Sequence, residues 1–585
     1  MTGADLVTLG PGGDPAADLL GVAARLEGGH AVVVVAQGLV VAPAALAPLT
    51  ADEFAPTSLL VRPGSRTADV RVRHHLVTSA GTQFHEVTAP DHVSVGALRI
   101  SAADRQAAAA AIRTLAGAVS DASIPSDGRD LVELITVALV RTSVSVRAVP
   151  MVDVPWFRDP QDLRAAQEST ASVSDERIAR LQANRLDDGF YSTFVVRRVS
   201  KVLTRGALRL GMSPNSITLV SFAIGLAAAA AFALGSRWWL VAGAILLQVS
   251  LIVDCVDGEV ARATRRFSAL GAWLDASTDR VKEFLAYAGL AAGAAIGGVQ
   301  LWWLAVVLIV LQTTRHMSDY DFSRVQRLRE AHVPARSVTI ADDGAAGAAG
   351  GWSLGSAMER STRMNRRDAV RWAKRAIHMP IGERWLVLSV FAAFLGAAWA
   401  MGVLLALGLL AFAYVTTGRT LRTLSWHGPT PAAGAQLLQR QFGGGPIVAL
   451  AAQALPAARR RAVWDARFGW AVPAALRALE LGLVAVIALA WLPAGATVAF
   501  WWMAVVAFHH YDVLYRALQG SSTPRWIVWG ALGWDGRSIL VIALAVLGLL
   551  VAWLGWAALA LAALVVVVAS VQWLAVQPRS ARQAS

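Results

Sequence analysis

The stretch "DCVDGEVARATRRFSALGAWLDASTD", Asp254 to Asp279, decides how this chain is to be read. It places four aspartates and two glycines beside sequence apolar enough to lie in a membrane. Asp254 and Asp257 are three residues apart and on a helix project within about 60° of each other; Asp275 and Asp279, four apart, project within about 40°. Each pair shares a face, and the link between the pairs is short enough to be a turn at a membrane surface. Two helix ends can therefore bring all four carboxylates together. Four ionised carboxylates in a poorly hydrated volume repel one another and demand cations. No His or thiolate cluster accompanies them, so the expected partners are hard divalent ions on oxygen ligands, Mg²⁺ or Mn²⁺, with two ions able to bridge a diphosphate. Gly258 and Gly271 remove side chains where a ligand or helix would approach closely, and Arg262 adds a cation at phosphate-binding distance from the acids.

Outward from this stretch the composition is that of a membrane protein. The chain has 585 residues, 56% of them hydrophobic, and a mean hydropathy of +0.50, too apolar for a purely soluble protein. Windows such as "ITLVSFAIGLAAAAAFALG" from Ile217 reach the ~20 residues that the hydrocarbon core requires. Spans are expected near Ile217–Leu234, Trp238–Val256, Val281–Ile296, Leu301–Leu311, Trp385–Ala400 and Val403–Val415. A second membrane unit follows, with spans near Ala474–Ala490 and Val498–Ala507 and two more from Ser538 onward. Lys and Arg outnumber Asp and Glu by 53 to 40 and crowd beside the apolar windows, as in "RSTRMNRRDAVRWAKR" (360–375), which suits cytoplasmic loops facing anionic lipid. Nucleic acid is not an expected partner, since no recognition motif accompanies the basic residues. The single Cys255 excludes an intrachain disulfide.

Ahead of the first span, "FYSTFVVRRVSKVLTRGALRLGM" repeats Arg197, Lys201, Arg205 and Arg209 every four residues, with Phe194, Val195, Val199, Val202 and Leu203 elsewhere. That pattern predicts a helix lying on the membrane surface. Residues 1–168 read instead as a soluble α/β domain: the strand "HAVVVVAQG", the strand-like "VGALRI" and the Ala-rich helix "AADRQAAAAAIRTLAGAV". The start "MTGADLVTLGPGGDP" lacks a basic segment ahead of an apolar core, so no cleaved signal peptide is expected and this domain is placed in the cytoplasm.

The spacing D-x-x-D-G-x-x-A-R-x8-G-x3-D-x3-D is met at every position, by Asp254, Asp257, Gly258, Ala261, Arg262, Gly271, Asp275 and Asp279. It resembles the signature of the CDP-alcohol phosphotransferase family, over roughly Gly189 to Arg422. The resemblance implies a six-helix membrane enzyme, usually dimeric, that transfers a substituted phosphoryl group from a CDP-alcohol donor to an alcohol acceptor and releases CMP. It implies that Asp254, Asp257, Asp275 and Asp279 hold two metal ions, that Asp279 is also the base, and that Gly258, Ala261, Arg262 and Gly271 line the CDP pocket. "SPNSIT" resembles the family's Pro-Asn-x-x-Thr element and adds Asn215 and Thr218 to that pocket. Arg315, in "TTRHMSDYDF", is a candidate for docking an acceptor phosphate.

The N-terminal "VPWFRDPQDLRAAQ" resembles the closing segment of sugar-phosphate nucleotidyltransferases, and "DDGFYSTFVVRRVSKVLTR" the junction of bifunctional enzymes that make CDP-inositol and join it to inositol phosphate. The Gly-rich "LGPGGDP", however, lacks the basic residue of an active domain, and Ala36 and Gln37 stand where a metal-binding Asp belongs. A degenerate, noncatalytic domain is expected. The architecture so read is a cytosolic nucleotidyltransferase-like domain (1–168), a six-helix transmembrane transferase domain with its interfacial helix (189–422) and a C-terminal transmembrane helical domain (436–585), in the cell membrane with the site facing the cytoplasm. The contrasting possibility is a transporter or scaffold whose acids bind a structural cation. In "FHHYDVLYR", Asp512 and Arg516 are spaced to pair with each other.

Overall fold

A computed structural model describes residues 4–178, 189–332, 376–454, 462–490, 494–518 and 522–573, apart from 51–55, 65–67, 74–75 and the single positions 84, 103, 143, 176, 265, 267 and 427. The basic stretch 360–375 and the glycine-rich 342–351 lie outside the described residues. The chain forms two compact units, one built essentially on residues 1–184 and the other on 185–328 and 351–585.

The first unit is a seven-stranded sheet in the order β1 (Ala4–Leu9), β2 (Ala31–Ala36), β7 (His92–Ile100), β4 (Ser58–Pro63), β8 (Arg147–Pro150), β6 (Leu76–Ala80), β5 (Val70–Arg73). β1 and β2 run parallel, and β7 lies antiparallel between β2 and β4. A separate two-stranded ribbon pairs β3 (Leu39–Val41) with β9 (Trp156–Arg158). Helices α1 (Pro15–Glu27), α2 (Arg105–Ser120) and α3 (Leu131–Arg141) bury Leu19, Val22, Ile112, Leu134 and Ile135 with Val32, Val34, Leu98 and Ile100 of the sheet. The continuous Val run of β2 is that of a strand covered on both faces, since Val33 joins a second cluster with Leu60 and Val95.

The second unit is helical. After the surface helix α4 (Arg197–Arg209) come α5 (Pro214–Ala233), α6 (Arg237–Thr264), α7 (Ala269–Ile296), α8 (Trp302–His332), α9 (Ile381–Leu395) and α10 (Ala397–Leu424), then α11 (Ala471–Leu489), α12 (Ala494–Leu518), α13 (Gly533–Val546) and α14 (Leu550–Ala562). Among the described residues six helical stretches are long and apolar enough to cross a membrane: Pro214–Ala233, Arg237–Thr264, Ala397–Leu424, Ala471–Leu489, Trp526–Val546 and Leu550–Trp573. They leave large apolar side chains such as Ile245, Trp399, Leu410, Val546 and Trp556 exposed, the surface of a protein solvated by lipid. The chain is a multi-pass membrane protein. Three of these six lie in the stretch 189–422, where six spans were expected. The helices that fall short there are α7, α8 and α9. α7 and α8 carry ionisable groups that turn inward, and α9 has only 15 residues.

Two boundaries differ from the expectation. The span expected over Trp385–Ala400 is interrupted at Gly396, whose φ of +95° ends α9 and starts α10, a conformation open to glycine at no steric cost. The span expected over Val498–Ala507 is the middle of a 25-residue helix. Its polar end, with His509, His510 and Asp512, is buried in protein. Residues 189–422 and 436–585, expected as separate domains, share one hydrophobic cluster in which Tyr287, Trp302 and Leu308 meet Phe500, Met503 and Tyr511.

Candidate active site

α5 starts at Ser213, whose side chain accepts the Ser216 N–H, with Pro214 at the first helical position; both residues suit a helix start. α7 starts in the same way: Ser268 accepts the Gly271 N–H at 2.9 Å. The N-termini of α5 and α7 and the C-terminal half of α6 meet, and the signature residues gather there. A Cβ on Gly271 would stand 3.0 Å from Asn215 Oδ1, so the glycine lets the two helix starts touch. Arg262 folds back over Gly258, where a Cβ would meet its Nη1 at 3.1 Å.

Asp254 and Asp257 of α6 and Asp275 of α7 each offer a carboxylate oxygen, all within 4.8 Å of one another. An octahedral Mg²⁺ with ligands at about 2.1 Å separates opposite oxygens by about 4.2 Å, so the three fit one hard divalent ion after a small contraction. Thr218 donates to Asp257 Oδ2 at 2.5 Å and fixes that carboxylate. Asp279 is not one of the three. Its Oδ1 lies 3.0 Å from Lys282 Nζ, which also donates to Asp254 Oδ1 at 2.6 Å and to Ser221 Oγ at 3.0 Å. Asp279 thus joins the cluster through the ammonium it shares with Asp254.

Lys282 is a residue the motif did not reveal. It is fully buried and lies over the Trp385 ring, 5.2 Å from its centroid. Gly225 of α5 makes room for its stem, since a Cβ there would be 2.7 Å from Lys282 Cγ and Cδ. The available signal was spacing: Lys282 follows Asp279 by three residues, on the acid-bearing face of α7. Glu259 likewise lies outside the motif. Buried beside Asp257, it accepts hydrogen bonds from Arg197 (2.9 Å), Ser200 (2.7 Å) and Thr204 (2.6 Å) of α4. Arg197 therefore leaves the basic surface expected of that helix, while Lys201, Arg205 and Arg209 stay exposed beside Val199, Val202 and Leu203.

Arg315 is buried in α8. Its Nη2 donates to the Met379 carbonyl at 3.1 Å, while Nε and Nη1 find no partner among the described residues. Arg384 donates to the same carbonyl and holds Glu283 with two hydrogen bonds of 2.8 and 3.0 Å.

In the first unit, Gln37 packs against Gly10 of the glycine-rich loop, where a Cβ would come 2.2 Å from the Gln37 Cβ. A cleft of about 490 Å³ is lined by Asp69, His85, Arg129, Asp130, Glu133 and Arg158, among others. Burial pushes the Asp69 carboxyl up to about 6, against the opposing hydrogen bond from the Ser94 N–H.

Residues 211–336 match the CDP-alcohol phosphatidyltransferase family. The chain carries a CDP-alcohol phosphatidyltransferase domain. Residues 397–584 match a family of unknown function (DUF5941). The transferase domain is similar to the phosphatidylinositol phosphate synthase of Mycolicibacterium smegmatis, at 32% identity over 122 residues, covering 21% of this chain and 54% of that protein. It is similar to the archaetidylinositol phosphate synthase of Pyrococcus horikoshii, at 33% over 115 residues, 20% of this chain and 55% of that protein. The bifunctional IPC transferase and DIPP synthase of Rubrobacter xylanophilus matches at 37% over 151 residues, 26% of this chain and 32% of that protein. The chain thus spans about half the length of the first two relatives.

Proposed function

We propose that this protein transfers a substituted phosphoryl group from a CDP-alcohol, of the CDP-diacylglycerol or CDP-inositol type, to an alcohol acceptor such as inositol phosphate, with release of CMP, in phospholipid synthesis. The observation that carries the reading is the convergence of Asp254, Asp257 and Asp275 inside a segment of that family. Asp254, Asp257, Asp275 and Asp279 would hold two ions, Mg²⁺ or Mn²⁺. When bound, they would neutralise the diphosphate and the departing CMP. Asn215, Thr218, Gly258, Ala261, Arg262 and Gly271 line the side on which the nucleotide sits.

The acceptor hydroxyl attacks the β-phosphorus in line, and its proton passes to Asp279. The new P–O bond forms as the bond from that phosphorus to the CMP oxygen breaks, and CMP leaves with the electron pair. Lys282 fixes Asp279 from 3.0 Å. Arg315, a buried guanidinium whose Nε and Nη1 find no partner among the described residues, suits an acceptor phosphate. The N-terminal domain would be a noncatalytic module that binds a ligand or regulates, and the site would face the cytoplasm at the cell membrane.

Purified protein with Mn²⁺, CDP-diacylglycerol or CDP-inositol, and a panel of alcohol acceptors should release CMP. Asp279→Asn should lower the rate by about 10²- to 10⁴-fold, the range for loss of a general base. Metal binding with no CMP release from any pair would point to a structural cation site in a transporter or scaffold. An undiminished rate in Asp279→Asn would remove that residue from the chemistry.

A further inference from the structure

The helix that carries Asp275 and Asp279 has a second face. Asp275, Asp279 and Lys282 follow one another at i, i+4 and i+7 toward the acid cluster. Trp273, Arg280 and Tyr287, at i, i+7 and i+14, form a neighbouring stripe, buried among the other helices of the unit. What Trp273 and Arg280 meet comes largely from the C-terminal region that matches the family of unknown function. The Trp273 ring stacks on Trp573 with centroids 5.5 Å apart and takes the edge of Phe508 at 6.3 Å. Trp573 is itself fixed, because its Nε1 donates to Asp512 Oδ1 at 2.9 Å and Arg516 lies over its ring at 5.2 Å. Arg516 in turn donates to Asp512 Oδ2 at 2.8 Å. The Asp512 and Arg516 pair of "FHHYDVLYR" therefore holds an indole that rests two residues before Asp275.

One residue after Asp279, Arg280 donates to the His316 imidazole at 3.0 Å and to Glu283 at 3.0 Å. Arg280 Nη1 is 3.0 Å from both ring nitrogens, and His316 Nδ1 and Tyr511 Oη share a hydrogen bond of 2.8 Å. The Arg280 guanidinium also sits 6.0 Å from the Tyr511 ring centroid. Farther along the same contact Tyr320 and Tyr515 join their hydroxyls at 3.0 Å, and Trp302 meets Phe500 edge to face at 5.6 Å. Phe500, Phe508, Tyr511 and Tyr515 lie on one stripe of α12.

We propose that the C-terminal helices are an intramolecular brace for the transferase site. Tyr511, through His316 and Arg280, and Trp573, through Trp273, are positioning residues that set where α7 presents Asp275 and Asp279 to the acids of α6. Neither touches the acids. Each holds α7 within two residues of one of them, on opposite ends of the acidic segment, so together they fix both its rotation and its height. Ligands must be held to within about half an ångström to bind and act, and a single helix in lipid has no such restraint of its own. The proposal rests on the reading of Asp254, Asp257 and Asp275 as metal ligands.

The test uses the full-length protein in lipid nanodiscs, with Mn²⁺ alone as the probe and free Mn²⁺ followed by electron paramagnetic resonance. Tyr511→Phe and Trp573→Leu are expected to raise the Kd for Mn²⁺ about tenfold at unchanged stoichiometry. Trp556→Leu, at a lipid-exposed position of α14, is expected to leave it unchanged. Partial unfolding would instead lower the stoichiometry at an unchanged Kd, so the two effects separate. If the unsubstituted protein binds Mn²⁺ and both variants bind it equally well, the brace is refuted and the metal site stands. If the unsubstituted protein binds no Mn²⁺, or Asp254→Asn binds it as well as the unsubstituted protein does, the reading beneath the proposal fails and the brace falls with it.

Discussion

Lys282 shows how one buried charge can shape a site. Its ammonium joins Asp254 and Asp279 across two helices, with no exposure to solvent. Removing one member of a buried ion pair costs about 3–5 kcal/mol, because the other charge is left without a partner. Lys282→Met is therefore expected to destabilise the metal-free protein by about that much. It should also tighten Mn²⁺ binding, since no cation then competes for Asp254; thermal unfolding with and without Mn²⁺ checks both outcomes. In the first unit, Asp69 makes a pH prediction. Its folded-state value of about 6 lies above the value near 4 of an unfolded chain, so the folded domain binds the extra proton in between. The stability contributed by the protonated form is fully present below about 4 and is lost as the pH rises through about 6. Asp69→Asn keeps an acceptor for the Ser94 N–H and should flatten that slope, raising stability at pH 7.5 more than at pH 5. Amide exchange of β7 in the two proteins would show it. None of this was legible in "RTADVRV" around Asp69, because the carboxyl's surroundings come from Ser94, Glu133 and Arg158.

At the level of elements, α4 is the instructive case. Its period of four basic residues predicted a surface helix, and the helix is there, with apolar Val199, Val202 and Leu203 exposed beside Lys201 and Arg205. The face it buries was not foreseen. Arg197, Ser200, Thr204 and Ala207 turn inward, a polar stripe that reads as solvent-facing until the buried acceptor Glu259 is in place. Glu259→Ala removes the acceptor of three donors at once. Local opening of the helix should become easier by about 3 kcal/mol, so amide exchange over Arg197–Arg209 should speed up on the order of a hundredfold. α7, α8 and α12 teach the same lesson. A hydropathy reading shortens or rejects them because of residues such as Lys282, Arg315, His509 and Asp512. Each of those side chains is buried against protein, and lipid never meets it.

For the whole molecule, a ligand that binds only the folded state stabilises it by mass action, by about 2.7 kcal/mol at a hundred times its Kd. Chelation of divalent ions is accordingly expected to lower the unfolding temperature of the helical unit, and Asp275→Asn to abolish that response; calorimetry in nanodiscs measures both. The face of α7 and α8 covered by α12 is occupied within the chain. Any homodimer must be built on another face.

By itself the sequence determined that the chain crosses a membrane, that a strand-and-helix domain precedes the crossings, and that Asp254 pairs with Asp257 and Asp275 with Asp279 on shared helix faces; the convergence it expected of all four is met by Asp254, Asp257 and Asp275. Those properties are local: apolar length, period, and the geometric fact that residues three or four apart on a helix share a face. Tertiary structure alone decided that Lys282 stands between Asp254 and Asp279, that Glu259 anchors the surface helix, and that Tyr511 and Trp573 buttress the acid-bearing helix from more than two hundred residues away. Such contacts join side chains whose separation along the chain carries no periodic signal. They exist only where packing brings the helices within reach of one another.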